Sequence, residues 1–263
     1  MCKPTDNTPT IRRVIIAGAG PAGLLLQALL HNRNKSSSTT TSSINGQPRV
    51  IYDVTLIESR SDLGQLTPTE LNESHRSWMI GLAGHGLEAV RSIPNLYEDY
   101  LSDVGVQLTE GAIYIGSKKM SMGSQNKNMD ELPEGFIVDR NFIVAALARY
   151  AKDYMTTSPY YTPKYETELL YVDSNNQRVL VRDTNTKAEE YLEYDLLVGA
   201  DGVRSTVREA MVKRHFDFEL HVNDIFQTFK VRTHIIQMCV HDIISSSDLI
   251  DPLTSLCLTL MHF

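Results

Sequence analysis

Cysteine is scarce in this 263-residue chain: Cys2, Cys239 and Cys257 are odd in number and far apart. No C-x-x-C spacing occurs, which excludes a zinc ribbon, a dithiol redox pair and a disulfide framework. A reduced, cytoplasmic setting is the simplest expectation. Long apolar runs are also missing. No window reaches the ~18 uninterrupted apolar residues of a spanning helix, and the opening "MCKPTDNTPT" has no apolar core that could serve as a signal peptide. The sequon at Asn72-Glu73-Ser74 is then expected to be chance. Positive charge is in deficit, with 25 Lys and Arg against 32 Asp and Glu. That balance gives no electrostatic reason to expect nucleic acid as a partner. There is no H-E-x-x-H and no Ser/His/Asp arrangement, so no metal site is expected and no catalytic residue is assigned.

What is present is an ordinary globular composition, 42% hydrophobic and 22% charged, long enough for one large α/β domain or one domain plus part of a second. "RRVIIAGAG" is the short, β-branched, continuously apolar run of a buried parallel strand, and "PAGLLLQALLHNRN" continues as a helix. Between them Gly18, Gly20 and Gly23 meet the spacing G-x-G-x-x-G. Gly18 permits the tight turn, Gly20 lets backbone approach a pyrophosphate, and Gly23 lets the helix pack close to the strand. Free N–H groups and the positive end of the helix dipole would face the phosphates. The segment Gly18, Ala19, Gly20, Pro21, Ala22 and Gly23 is therefore a candidate cofactor-binding turn; the alternative is a plain structural turn.

An acidic residue closing the second strand would hold a ribose hydroxyl. "RVIYDVTLIESR" supplies the strand and Glu58 its end, with Ser59 and Arg60 in the same candidate set. Glu58 lies 40 residues after Gly18, where the motif expects about 20. The intervening "NKSSSTTTSSINGQP" is Ser/Thr-rich and reads as a disordered surface insertion. Removing Asn34 to Arg49 leaves 24 residues and restores the fingerprint. An ordinary exposed glutamate after a strand is the alternative.

Two later segments add to the pattern. "YDLLVGADGVRSTVREAMVKR" is again an apolar strand, a Gly-Ala-Asp-Gly turn and a charged helix. In "GFIVDRNFIVAALARYAKDY", Ile143, Ala146, Leu147, Tyr150, Ala151 and Tyr154 fall on one helical face, with Asp139 as N-cap and Arg140 in the first turn. On the residues alone, Asp201 reads either as a ligand group or as a helix-capping aspartate, and Arg140 either as an anion ligand or as a solvated cation.

Asp201, Gly202, Ser205, Val207 and Arg208 together resemble the second fingerprint of the single-component FAD monooxygenases, the flavoprotein aromatic hydroxylases. The resemblance implies that Asp201 and Gly202 help hold FAD and lie near the path of NADH or NADPH. It also implies that Arg140, in its "DR" pair, reaches the ribose and pyrophosphate. "SHRSWMIGLAGHGLEAVRSI" is similar to the Arg-Ser stretch of the kynurenine 3-monooxygenase group, which puts Arg76 near the flavin or a substrate carboxylate. Trp78 and Met79 replace smaller residues there, so kynurenine itself is not the expected substrate. His75 and His85 read as polar loop residues.

The resemblance runs from about Ile11 to His221 and implies a FAD-binding oxidoreductase that uses molecular oxygen and a small-molecule substrate. A third fingerprint, Gly-Asp followed by Ala, is not found before Phe263, and the tail departs from the family pattern near Lys230. The expectation is thus a C-terminally truncated member with an atypical tail over 222–263. A non-catalytic nucleotide-binding or interaction module derived from such an enzyme is the alternative. A halogenase or reductase on the same FAD-binding half is a third reading, without the tryptophan motif and lysine that halogenases carry.

The fold expected is a three-layer, Rossmann-like α/β domain over residues 11–221. Its mainly parallel sheet includes strands at Arg12–Ala17, Val50–Ile57 and Asp195–Ala200, and a hairpin-like run spans Tyr165–Tyr194. Part of a small substrate-side sheet is expected over 111–134.

Overall fold

The computed structural model describes residues 9–39, 49–74, 77, 79–107, 111–115, 118–122, 134–214 and 217–221, together with the backbone of residues 232–233 and 259–260. The chain divides into two compact units, Met1–Glu219 and Leu220–Phe263. In the second, β13 (Arg232–Thr233) and β14 (Thr259–Leu260) pair antiparallel. Cys2, Cys239 and Cys257 lie outside the described residues.

The first unit is organised by β1 (Thr10–Ala17), α1 (Pro21–Thr39) and β2 (Val50–Ile57). With β8 (Tyr161–Lys164) and β12 (Leu196–Gly199) these strands form one parallel sheet in the order β12-β1-β2-β8. The "VIIA" run is apolar throughout because β1 is buried on both faces. Val14 and Ile16 point toward α1 and α4 (Arg140–Met155), in a cluster with Leu24, Ala28, Val54, Leu56 and Leu147. Ile15 and Ala17 point the other way, onto Val172, Val179 and Val181. Each large side chain buried in these clusters stabilises the fold by about 1.5–3 kcal/mol.

The second cluster belongs to an antiparallel sheet of β9 (Thr167–Asp173), β10 (Arg178–Asp183) and β11 (Glu189–Glu193), in the order β11-β10-β9. Three layers are present as expected. One outer layer is helical, while the other is this three-stranded meander, with α5 (Thr206–Arg214) beside it. The run expected as a hairpin thus carries a third strand, and the turn between the first two holds Asn175 and Asn176 and closes on Gln177 at φ 49°.

The helix α1 also differs from expectation. It continues through Thr39, so the insertion does not begin at Asn34. A tertiary clamp holds this end: Asn34 Nδ2 donates to the Tyr52 carbonyl at 2.8 Å and its Oδ1 accepts from the Tyr52 N–H at 2.9 Å. The helix is thereby tied to β2 one turn beyond His31, the last buried residue of α1.

Smaller elements complete the unit. A one-turn 3-10 helix at Leu63–Gln65 and α2 (Pro68–Ser74) follow β2. β3 (Met79–Ala83) precedes α3 (His85–Arg91) and pairs with β7 (Gly135–Asp139), which also pairs with β4 (Val106–Gln107). His85 opens α3 rather than lying in a loop. β5 (Gly111–Ile115) and β6 (Lys118–Met122) form a hairpin in the segment expected to start a small sheet. Among the described residues no helix is long and apolar enough to cross a membrane.

Candidate functional site

Parallel register brings three strand ends level: Ala17 of β1 pairs with Ile57 of β2 and with Gly199 of β12. The loops that follow, Gly18–Gly20, Glu58–Arg60 and Ala200–Gly202, therefore open on one edge of the sheet, where ligands bind in open α/β folds. They are stitched together by backbone hydrogen bonds from Gly18 N–H to the Ile57 carbonyl and from Ala200 N–H to the Ala17 carbonyl, both 2.7 Å. A cleft of about 370 Å³ lies along this edge.

Of the residues picked from sequence, Gly18, Gly20, Glu58, Ser59, Arg60, Arg140, Asp201 and Gly202 line this cleft. Ala19, Pro21, Ala22 and Gly23 do not line it. Ala19 is buried beneath the turn, Pro21 opens α1, where its missing N–H costs nothing, and Gly23 serves packing. A Cβ on Gly23 would stand 2.0 Å from the Gly18 carbonyl oxygen. Gly18 itself has φ 102°, and a Cβ there would meet the Ala200 carbonyl oxygen at 2.4 Å. Gly20 is different: the nearest atom to its absent Cβ is Arg140 Nη2, at 3.8 Å. The protein's own packing requires glycine at 18 and 23, whereas the space at 20 faces the cleft.

Glu58, only 9% exposed, is the best-connected group of the site. Its Oε2 accepts from the Ala19 N–H at 2.9 Å. Its Oε1 accepts from the Arg60 N–H and Arg60 Nε, both at 3.0 Å, and from Ser59 Oγ at 3.3 Å. Burial pushes its carboxyl up, but Arg60 and the two amides together outweigh burial and hold it below the usual glutamate value. A carboxylate oxygen accepts at two positions, so Oε2 keeps one beyond Ala19.

Asp201 takes the capping role that its sequence context offered. Oδ2 accepts from the Val207 N–H at 3.2 Å, a capping contact to α5, while Oδ1 is buried with no partner among the described residues. The rest of the "DGVRSTVR" stretch builds the turn around it. Ser205 Oγ accepts from the Arg208 N–H at 2.9 Å, Val207 is buried against Gly199, and Arg208 donates to the Gly202 and Val203 carbonyls. Arg140 stands one residue beyond the N-cap of α4, where Asp139 accepts from the Asn141 N–H at 2.7 Å.

Half of the lining was not singled out from sequence for this role: the strand-end residues Ala17, Ile57 and Ala200, then Thr167, Glu168 and Leu169 of β9, and Arg204 and Thr206. Arg204 and Thr206 lie inside the Asp-Gly motif, so the signal was at hand. Thr167 is brought in by its N–H bond to the Glu58 carbonyl at 2.8 Å, a pairing across more than a hundred residues that leaves no local pattern. Arg76, His75 and Trp78 lie outside the described residues. Among the described residues no group of His, Cys, Asp and Glu is arranged for a metal.

No protein-family model matches the chain. It is 27% identical over 221 residues to the kynurenine 3-monooxygenase of Cryptococcus neoformans var. neoformans serotype D (strain JEC21 / ATCC MYA-565), which covers 77% of this chain and 38% of that protein. The chain thus spans about two fifths of the length of the curated relatives it matches. The tetrameric form of 2-methyl-3-hydroxypyridine-5-carboxylic acid oxygenase has a similar fold, with a TM-score of 0.52 at 22% identity over 86% of this chain and 45% of that one. So has the flavin-dependent monooxygenase PieE, solved with FAD and substrate, with a TM-score of 0.54 at 13% identity over 86% of this chain and 34% of that one. In sequence the chain is similar to kynurenine 3-monooxygenases, and its fold is similar to that of flavin-dependent monooxygenases.

Proposed function

We propose that the cleft holds FAD, and that the whole protein is an NAD(P)H-dependent monooxygenase acting with molecular oxygen on a small aromatic or other organic substrate. The observation that carries the reading is convergence: Gly18, Glu58, Arg140 and Asp201, scattered over 184 positions of the sequence, line one cleft at the ends of three parallel strands. Two features support the fit of a dinucleotide. Gly20 is left open toward Arg140 although nothing in the protein's packing requires a glycine there, and Asp201 Oδ1 is a buried acceptor with nothing bound to it among the described residues.

In this reading the turn amides and Arg140 hold the pyrophosphate, with Arg204 adding positive charge on the Gly202 side. Glu58 Oε2 takes a ribose hydroxyl at its remaining acceptor position. Asp201 accepts from a donor of the cofactor through Oδ1 and anchors α5 through Oδ2. Ser59 and Arg60 hold the Glu58 carboxylate in place, and Arg76 lies near the flavin or a substrate carboxylate. FAD, when bound, supplies the hydride chemistry with NADH or NADPH and the activation of oxygen. The chain's own residues bind and orient it. A cytoplasmic setting and the absence of a nucleic-acid partner belong to the same reading.

The test is the visible spectrum of the purified chain after incubation with FAD and removal of unbound cofactor. Flavin bands at a near-stoichiometric amount are the expected result. A colourless protein would overturn cofactor binding by this chain. Bound flavin that NADH and NADPH both fail to reduce would support instead a nucleotide-binding module without catalysis.

A further inference from the structure

The buried stripe of α1 follows helical spacing at Leu24, Gln27, Ala28 and His31. Its last position is a histidine only 7% exposed. His31 lines a second cavity, about 280 Å³, some ten residues and therefore about 15 Å along α1 from the glycine turn. Lys35 from the same helix, Arg49 before β2, Tyr154 in the last turn of α4, and Ser158 and Tyr160 from the α4–β8 connection close it. Among the described residues that line it there is no aspartate or glutamate, so the charge they bring is wholly positive.

Two nitrogens at this cavity are buried without a partner among the described residues: His31 Nε2 and Arg49 Nε. A buried polar group left unmatched is costly, so each calls for a partner. The Tyr154 backbone favours a proton on the His31 ring; with Nε2 unpartnered, that proton belongs on Nδ1, which leaves Nε2 with a lone pair in the neutral ring. Lys35 Nζ stands 5.6 Å from the Tyr154 ring centroid. Ser158 Oγ accepts from the Tyr160 N–H at 3.3 Å, so its O–H is available to donate.

We infer that this cavity binds a phosphate-class oxyanion, held by Arg49, Lys35 and His31. The chemistry of the three groups distinguishes phosphate from other anions. Burial first, and Lys35 second, lower the His31 pKa, so the ring is neutral near pH 7 and needs a hydrogen-bond donor at Nε2. A protonated phosphate oxygen supplies that donor while its ionised oxygens meet Arg49 and Lys35. A carboxylate or sulfate has no proton to offer at that pH and would require His31 to be charged. The inference is independent of the cofactor reading, since the two clefts share no residue.

The experiment follows the His31 ring nitrogens by NMR in the full chain, titrated at constant ionic strength with inorganic phosphate, glycerol 2-phosphate, sulfate and chloride. A saturable shift of Nε2 with a phosphate species, weakened roughly tenfold or more by Arg49→Gln, is expected from the loss of one charge-assisted bond. Tighter binding of inorganic phosphate would identify the free anion as the ligand, and tighter binding of glycerol 2-phosphate a phosphomonoester. No saturable shift with either, an equal response to chloride, or affinity unchanged in Arg49→Gln would overturn the proposal. His31→Gln adds a second variant, and Arg49→Gln carries the test if the histidine variant does not fold.

Discussion

At the scale of single residues, the three glycines of the turn do different work, and substitution by alanine separates them. Gly18→Ala places a side chain at φ 102° and against the Ala200 carbonyl, and Gly23→Ala drives a methyl into the Gly18 carbonyl. Each should lower stability by about 1–3 kcal/mol or prevent folding, read by urea unfolding. Gly20→Ala meets no atom closer than 3.8 Å. It should keep the stability of the parent while weakening FAD, and equal loss of stability at all three positions would contradict that division. Glu58 has its own signature. Its carboxyl is held below the ordinary glutamate value of 4.5, so its contribution to stability is fully present above that value and fades as pH falls through the lower, folded one. Glu58→Gln should therefore be destabilised relative to the parent at neutral pH, with the gap closing in acid below about pH 4.5. A gap constant from pH 7 to pH 3 would show that the carboxylate's charge does not matter to the fold.

At the scale of elements, caps and ties set where helices begin and stop. Asp139 caps α4, and its replacement by alanine should cost about 1 kcal/mol in chemical denaturation, with most of that recovered by Asp139→Asn. The amphipathic pattern and cap of this helix were legible in the sequence because each depends on neighbours three or four positions away. The far end of α1 was not. A Ser/Thr-rich run has weak helix propensity, and the Asn34 clamp onto Tyr52 joins residues whose proximity only the folded sheet creates. The motif "DGVRSTVR" was legible as a unit. That its aspartate caps α5 with one oxygen and leaves the other buried without a partner among the described residues required the geometry of β12 against α5.

At the scale of the molecule, the parallel sheet is held between unlike layers, helices on one side and a β-meander on the other. Val179, fully buried, joins the meander to the sheet. Val179→Ala should cost about 2 kcal/mol through lost burial and the cavity left behind. If the cleft binds FAD, the cofactor should stabilise the whole fold by mass action, by about 2.7 kcal/mol when free FAD is a hundred times its Kd. A thermal midpoint that does not rise with FAD would separate the cleft from the cofactor.

The sequence by itself determined the parallel strands, the glycine turn, the capped helix and the Asp-Gly motif, because each is written in residues close together along the chain. Only the tertiary structure decided that these segments share one cleft, that the outer layer opposite the helices is a meander, and that His31 ends a buried stripe in a basic cavity. Those facts depend on strand register and on packing between residues far apart in sequence, for which a local pattern carries no record.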